Sequence, residues 1–177
     1  EFAIRPFLIH YPAQTLAILD GWTTDPSPHV RRLVSEGTRP RLPWGMHLTQ
    51  FITDPSPTLA LLDKLKDDDS EYVRRSVANH LNDISKKDPD LVMDRLQEWL
   101  GPGLQAQAEP GWMTGYALRG LVKAGNVRAL SMLGYDADAD IDVLCLDVPD
   151  SAAIGDVLSL SVALKSETGA RALVDYV

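Results

Sequence analysis

Cysteine is almost absent from this chain: Cys145 stands alone among 177 residues. A single thiol excludes an internal disulfide framework and a zinc site built from cysteines, and it fits a reducing, cytosolic setting. Long apolar runs are absent as well, so no stretch reads as spanning a bilayer and no membrane partner is expected. No secretory pattern appears at the start. The four histidines, His10, His29, His47 and His80, lie apart without metal-ligand spacing. No glycine loop of the phosphate-binding kind occurs, so neither a metal, a nucleotide nor another cofactor is expected. The first residue is Glu1 rather than Met, which predicts that the chain is cut from a longer protein.

Positive charge is also short, with 17 Lys and Arg against 25 Asp and Glu and a net charge of −8. Taken alone, that sum argues against a nucleic-acid partner. The deficit is local, however. From Gly134 onward nine acids face two bases, whereas residues 1–133 carry sixteen acids against fifteen bases. A near-neutral segment can still present a basic face, and phosphate binding depends on local potential.

What the chain does contain is best seen in VRRLVSEGTRPRLPW, residues 30–44. Val30, Leu33 and Val34 keep the spacing of a buried helical stripe. Ser27 is placed as N-cap, Pro28 opens the helix, and Gly37 stops it. Glu36 falls in the last turn, where the helix dipole disfavours a carboxylate by roughly 0.3–1 kcal/mol. Then Arg39, Arg41 and Trp44 stand on a backbone stiffened by two prolines. A plainer reading exists: Glu36 pairs with Arg32, a contact worth about 0.3 kcal/mol on a helix surface, and Trp44 is core.

Further along, residues 1–10 read as the remainder of a helix. Pro12 opens the next, with Leu16, Leu19 and Trp22 on one face. Residues 45–52 and 58–65 are read as short helices. Asp68 and Glu71 have capping-box spacing ahead of a helix whose stripe is Val73, Val77, Leu81 and Ile84. Helices over 90–100, 113–124 and 127–133 follow, with a loop over 101–111.

The pattern repeats. Val30-Arg31-Arg32 aligns with Val73-Arg74-Arg75 at an offset of 43, and Tyr116–Arg119 aligns with Tyr72–Arg75 at an offset of 44. A period near 43 matches HEAT-type helical repeats, about 40–47 residues long. In such solenoids one helix per unit lines a concave face. Arg31 and Arg32, Arg74 and Arg75, and Arg119 and Lys123 then form a ladder of cations; the plainer reading is a solvated face with dispersed salt bridges. Arg75, Asn79 and Asp83 form one polar stripe. Two adjacent repeats thus place a carboxylate, Glu36 and Asp83, among arginines. A carboxylate weakens phosphate binding, so its presence makes sense where a positive charge must be stabilised.

These stretches resemble the HEAT-like alkylpurine DNA glycosylases, and the AlkC branch more than the AlkD branch. The resemblance rests on VRRLVSEGTRPRLPW, on EYVRRSVANHLNDISK (71–86) and on the weaker GYALRGLVKAGN (115–126). It implies a mainly α fold, a HEAT-like solenoid over residues 1–134 that binds DNA and carries the chemistry. It also implies an enzyme of the bacterial cytosol or nucleoid, expected to be a monomer and acting on double-stranded DNA with alkylated bases; no lysine is placed for Schiff-base lyase chemistry, so a monofunctional enzyme is expected. The family excises cationic N3-alkylated bases, chiefly 3-methyladenine and, in this branch, 3-methylcytosine, without flipping the base fully. The resemblance places catalytic carboxylates at Glu36, Asp83 and Glu1; Glu1 comes from the resemblance alone. It sets Trp44, Arg39 and Arg41 beside the lesion or backbone. The remaining cations, Arg31, Arg32, Arg74, Arg75, Arg119 and Lys123, are left to phosphates or to the carboxylates. The alternative is a non-catalytic HEAT module for damaged DNA or for a protein.

From Asp136 the periodicity changes from 3.6 to 2. Ile141, Val143 and Cys145 alternate with polar residues, as do Leu158, Leu160, Val162 and Leu164, and then Ala172, Val174 and Tyr176. By the same resemblance residues 135–177 begin an immunoglobulin-like domain. A full sandwich needs about 100 residues, so this one is incomplete.

Overall fold

The computed structural model describes residues 1–100, 112–136, 138–167 and 169–174. The predicted loop 101–111 and Tyr176 lie outside them. The described chain is mainly helical with one small sheet. A single 3-10 turn (Phe2–Ile4) leads into α1 (Arg5–His10), α2 (Pro12–Trp22), α3 (Pro28–Gly37), α4 (Thr49–Thr53) and α5 (Ser56–Leu65). Then come α6 (Glu71–Ser85), α7 (Pro89–Trp99), α8 (Trp112–Lys123) and α9 (Val127–Met132), followed by β1 (Asp142–Asp147) and β2 (Ser161–Lys165). Two compact units result, Glu1–Ala129 and Leu130–Val177. Among the described residues no helix is long and apolar enough to cross a membrane.

Three helices begin in the same way, and the reason is one local bond. Asp25, Asp54 and Asp68 accept from the backbone N–H of the serine two residues on, at 2.8 Å for Ser27, 3.0 Å for Ser56 and 2.9 Å for Ser70. This Asx turn fixes the chain's direction into the helix. It also corrects two expectations. Ser27 holds the N-cap position of α3, but its hydroxyl makes no cap bond. Asp68 and Glu71 form no capping box, because Ser70 is the N-cap and Asp68 faces the Ser70 N–H and Arg31. A side-chain cap does appear at α7, where Asp88 accepts from the Leu91 N–H at 3.1 Å.

In the first unit α3, α6 and α8 lie side by side in a row, with α6 in the middle. The predicted stripe Val73, Val77, Leu81 and Ile84 is buried. So are Ser76, Ala78, His80, Asn82, Asp83 and Ser85, because neighbours cover α6 on both flanks. Each fully buried Leu or Val contributes about 1.5–3 kcal/mol. The helices α2, α5 and α7 make a second row; α2 touches α5, and Trp99 Nε1 of α7 donates to Asp63 of α5 at 2.8 Å.

One predicted helix starts late. Residues 45–48 are not helical, and α4 begins at Thr49. The backbone there is drawn back instead: the Leu48 N–H donates to the Pro40 carbonyl at 3.0 Å and the Gly45 N–H to Leu42 at 3.1 Å. In the second unit β1 and β2 pair antiparallel, with an irregularity between Val143 and Cys145. Every residue of both strands is exposed. Leu158 and Leu160 precede β2 outside the strand, and Ala172 and Val174 are not in a strand.

Candidate functional site

The C-terminal turn of α3 brings the first carboxylate to its neighbours. Thr38 Oγ1 donates to the carbonyls of Val34 (2.7 Å) and Ser35 (3.1 Å), so the helix ends tightly and the chain leaves at Arg39. Arg39 then folds back over the helix end. Its Nη1 meets Glu36 Oε1 at 2.7 Å and its Nε meets Asp83 Oδ2 of α6 at 2.9 Å. Glu36 also receives the Ser76 hydroxyl at 2.7 Å and lies 3.5 Å from Arg32. Arg32 in turn pairs with Glu1. At the far end Lys86 approaches Asp83 at 3.5 Å.

Three carboxylates and two guanidiniums therefore alternate in one chain: Glu1, Arg32, Glu36, Arg39, Asp83. Exposure falls along it, from 30% for the Glu1 side chain to 2% for Asp83. Burial works against the charge of Arg39. The hydrogen bond and field of Asp83, with Glu36 adding to them, outweigh that cost and raise its pKa. Beneath the network lies His80, wholly buried, its Nδ1 3.0 Å from the Ser35 carbonyl. A carbonyl only accepts, so Nδ1 carries the proton. Desolvation, with Arg39 and Arg5 adding to it, lowers the His80 pKa to about 3 despite that bond.

Of the remaining expected residues, the structure sorts the arginines into two kinds. Arg31 and Arg74 occupy equivalent positions and do the same thing. Arg31 Nη1 donates to the carbonyls of Asp25 (2.8 Å) and Pro26 (3.2 Å); Arg74 Nη1 donates to Asp68 (2.6 Å) and Asp69 (3.0 Å). Each clasps the turn ahead of its own helix. Arg31 further binds Asp68 through Nε (2.6 Å) and Nη2 (2.9 Å), which ties one repeat to the next. Arg32, Arg75 and Arg119 form the other kind. Arg32 lies over the Tyr72 ring at 4.5 Å, while Arg75 and Arg119 lie over Tyr116 at 5.9 Å and 4.7 Å. Arg119 also donates to Asn79 Oδ1 at 2.9 Å, and Arg75 pairs with Glu71 at 2.6 Å. Lys123 lies exposed in the last turn of α8.

Arg41 forms no hydrogen bond or ion pair among the described residues, and its Nε is buried without a partner. Trp44, the other end of that loop, is 99% exposed and holds a left-handed backbone at φ 63°. The plainer reading of Trp44 as core does not hold. Arg5, Ser76, His80, Tyr72 and Tyr116 were not singled out from the sequence. Arg5 had a signal, a lone cation inside the apolar segment EFAIRPFLIH. Among the described residues no group of His, Cys, Asp and Glu is placed to hold a metal ion.

Comparison with known proteins bears on the family and the fold. Residues 1–121 match the family described as DNA alkylation repair enzyme. An uncharacterised protein of Bacillus subtilis, YhaZ, is 40% identical over 179 residues, which is 99% of this chain and 48% of that protein. The structure of the Pseudomonas fluorescens alkylpurine DNA glycosylase AlkC, bound to DNA containing an abasic site analog, superposes with a TM-score of 0.85 at 43% identity. That likeness covers 93% of this chain and 45% of the AlkC chain. The chain thus spans about half the length of the relatives it matches. On sequence, helix arrangement and structural likeness together, the chain belongs to the DNA alkylation repair enzyme family, in its AlkC branch.

Proposed function

We propose that this chain supplies the DNA-binding and catalytic face of a monofunctional DNA glycosylase that releases cationic N3-alkylated bases, 3-methyladenine and 3-methylcytosine. The observation that carries the reading is the alternation Glu1–Arg32–Glu36–Arg39–Asp83, because it holds several carboxylates on one side of the helical row at fixed separation. An N3-alkylated base is already positive. When its C1′–N bond breaks, the electron pair goes to the base, which leaves neutral, and no general acid is needed. The sugar becomes an oxocarbenium ion. A carboxylate about 4 Å away stabilises such a charge by roughly 4 kcal/mol at an effective dielectric constant near 20. Water then adds to C1′ and passes a proton to a carboxylate.

The exposure gradient divides the labour. Glu1, at the exposed end, orients water; Glu36 and Asp83, both buried, hold Arg39 in place and add their field from below. Trp44, which projects, and Arg41, half-buried and unpaired, meet the lesion and the backbone without drawing the base into a pocket. Arg32, Arg75 and Arg119 lie along the phosphates. Arg31 and Arg74 are assigned to the repeat turns rather than to DNA. Residues 135–177 are assigned to the start of an immunoglobulin-like domain.

The burial of both Glu36 and Asp83 favours one second reading, a HEAT module that binds damaged DNA without cleaving it. Release of methylated base from alkylated duplex by the full-length protein decides between them. The enzyme reading expects release by the wild type and its loss in Glu36→Gln, with duplex binding retained. Binding without release supports the module.

A further inference from the structure

Arg5 takes no part in the carboxylate network, yet its side chain is 0% exposed. A guanidinium withdrawn from water normally needs a carboxylate. Among the described residues none lies within ion-pair distance of it. Its partners are three carbonyls. Nη1 donates to Gly37 at 3.1 Å and to Arg39 at 3.0 Å, while Nε donates to Met46 at 2.6 Å and Nη2 donates to the same oxygen. Gly37 and Arg39 begin the loop that carries Arg41 and Trp44; Met46 ends it. One planar fork thus ties both ends of the loop together. Desolvation, with repulsion from Arg39, lowers the Arg5 pKa, though Asp83 opposes it.

Two glycines fit the loop to this fork. A Cβ on Gly37 would sit 2.8 Å from Ile4 Cγ2. A Cβ on Gly45 would meet Leu42 and Phe2 at 3.3 Å and Arg5 Nε at 3.4 Å. The same N-terminal turn carries Glu1, which pairs with Arg32. The loop is therefore seated from behind by residues 1–5. Its inward side chain, Arg39, fixes Glu36 and Asp83; Trp44 faces solvent, and Arg41 is half-buried with its Nε covered.

We infer that Arg5 is a positioning residue, whose clamp on the Gly37, Arg39 and Met46 carbonyls fixes the loop so that Trp44 and Arg41 hold a set distance from the Glu36–Arg39–Asp83 cluster. In its bearing on catalysis this rests on the glycosylase reading; in its bearing on the loop it does not. A buried cation satisfied by carbonyls makes those carbonyls converge, which no apolar side chain can do. Lysine keeps the charge but offers one nitrogen, which cannot fork to both loop ends.

The test combines amide hydrogen exchange with base release, using Arg5→Met, Arg5→Lys and Gly45→Ala. In Arg5→Met the N–H groups of Arg39, Gly45 and Leu48 are expected to exchange at least about tenfold faster, with α6 unchanged. Base release from alkylated duplex falls by about 100-fold in kcat with a smaller change in KM, as for a misplaced reacting group. Arg5→Lys falls between wild type and Arg5→Met. If Arg5→Met does not fold, Gly45→Ala, which leaves every core side chain in place, is expected to loosen the same amides. Exchange that quickens equally in the loop and in α6, or not at all, overturns the inference. Wild-type protein that releases no base sinks the glycosylase reading instead, and the exchange pattern alone then decides the role of Arg5.

Discussion

Arg39 Nε lies 2.9 Å from Asp83 Oδ2, and with both side chains nearly out of water the pair joins the end of α3 to the middle helix of the row. The remaining hand of the same guanidinium holds Glu36. Repeat packing and site geometry are therefore one structure here. A change that loosens α3 from α6 also separates the carboxylates.

That coupling makes Arg39 the most costly cation to remove. Arg39→Met leaves two buried carboxylates facing each other, and breaking a buried pair from one side costs about 3–5 kcal/mol. Neutralising the acids as well, as Glu36→Gln and Asp83→Asn in the same chain, removes the uncompensated charge. Urea unfolding is expected to show the single variant as the least stable and the triple variant recovering most of the loss. Methylated-base release stays absent in both. A triple variant no more stable than Arg39→Met would mean the network is not electrostatic in origin.

The two kinds of arginine separate in a salt titration of duplex binding. Removing one phosphate-binding cation makes the slope of log K against log salt shallower by about 0.9. Arg41→Ala and Arg75→Ala are each expected to show a change of that size. Arg74→Ala is expected to keep the wild-type slope and to be less stable instead, since its donors go to the Asp68 and Asp69 carbonyls. A shallower slope in Arg74→Ala would return that residue to the phosphate ladder.

Much of this was legible in the chain. Repetition at 43 residues announced the row of helices, and the misplaced charges Glu36 and Asp83 are the pair that Arg39 joins. Side-chain direction was not legible. Arg31 and Arg32 are adjacent in sequence, yet a helix turns about 100° between them, so one clasps a turn and the other faces Glu1 and Glu36. The aspartates of the Asx turns resemble capping residues because both use the same acceptor oxygen. Arg5 escaped because its carbonyl partners are 32 to 41 residues away and carry no side-chain signature.

His80 makes the fold acid-sensitive in a defined window. The ring is held neutral in the folded chain, with a pKa lowered to about 3 from an ordinary 6.5. Its contribution is present above pH 6.5, where folded and unfolded rings are both neutral. It is lost as pH falls from 6.5 toward 3, because only the unfolded ring takes up a proton there. Across that window the loss reaches roughly 4 kcal/mol. His80→Gln keeps a donor for the Ser35 carbonyl and does not titrate. Its unfolding free energy is expected to fall less steeply between pH 6.5 and 4; equal slopes would exclude His80 as the source.

Trp44 combines a left-handed backbone with a fully exposed indole. A non-glycine residue at φ 63° costs about 1–2 kcal/mol, and at 99% exposure the indole regains none of it by burial. Asparagine tolerates this conformation better. Trp44→Asn is therefore expected to stabilise the chain by up to about 1 kcal/mol in urea unfolding. An exposed aromatic that stacks on a base contributes about 1–3 kcal/mol to nucleic-acid binding. The same variant is then expected to bind an abasic-site duplex about tenfold or more weakly, with an unchanged salt slope because no cation is removed. Higher stability with unaltered affinity would leave the strain at Trp44 without a use in DNA recognition.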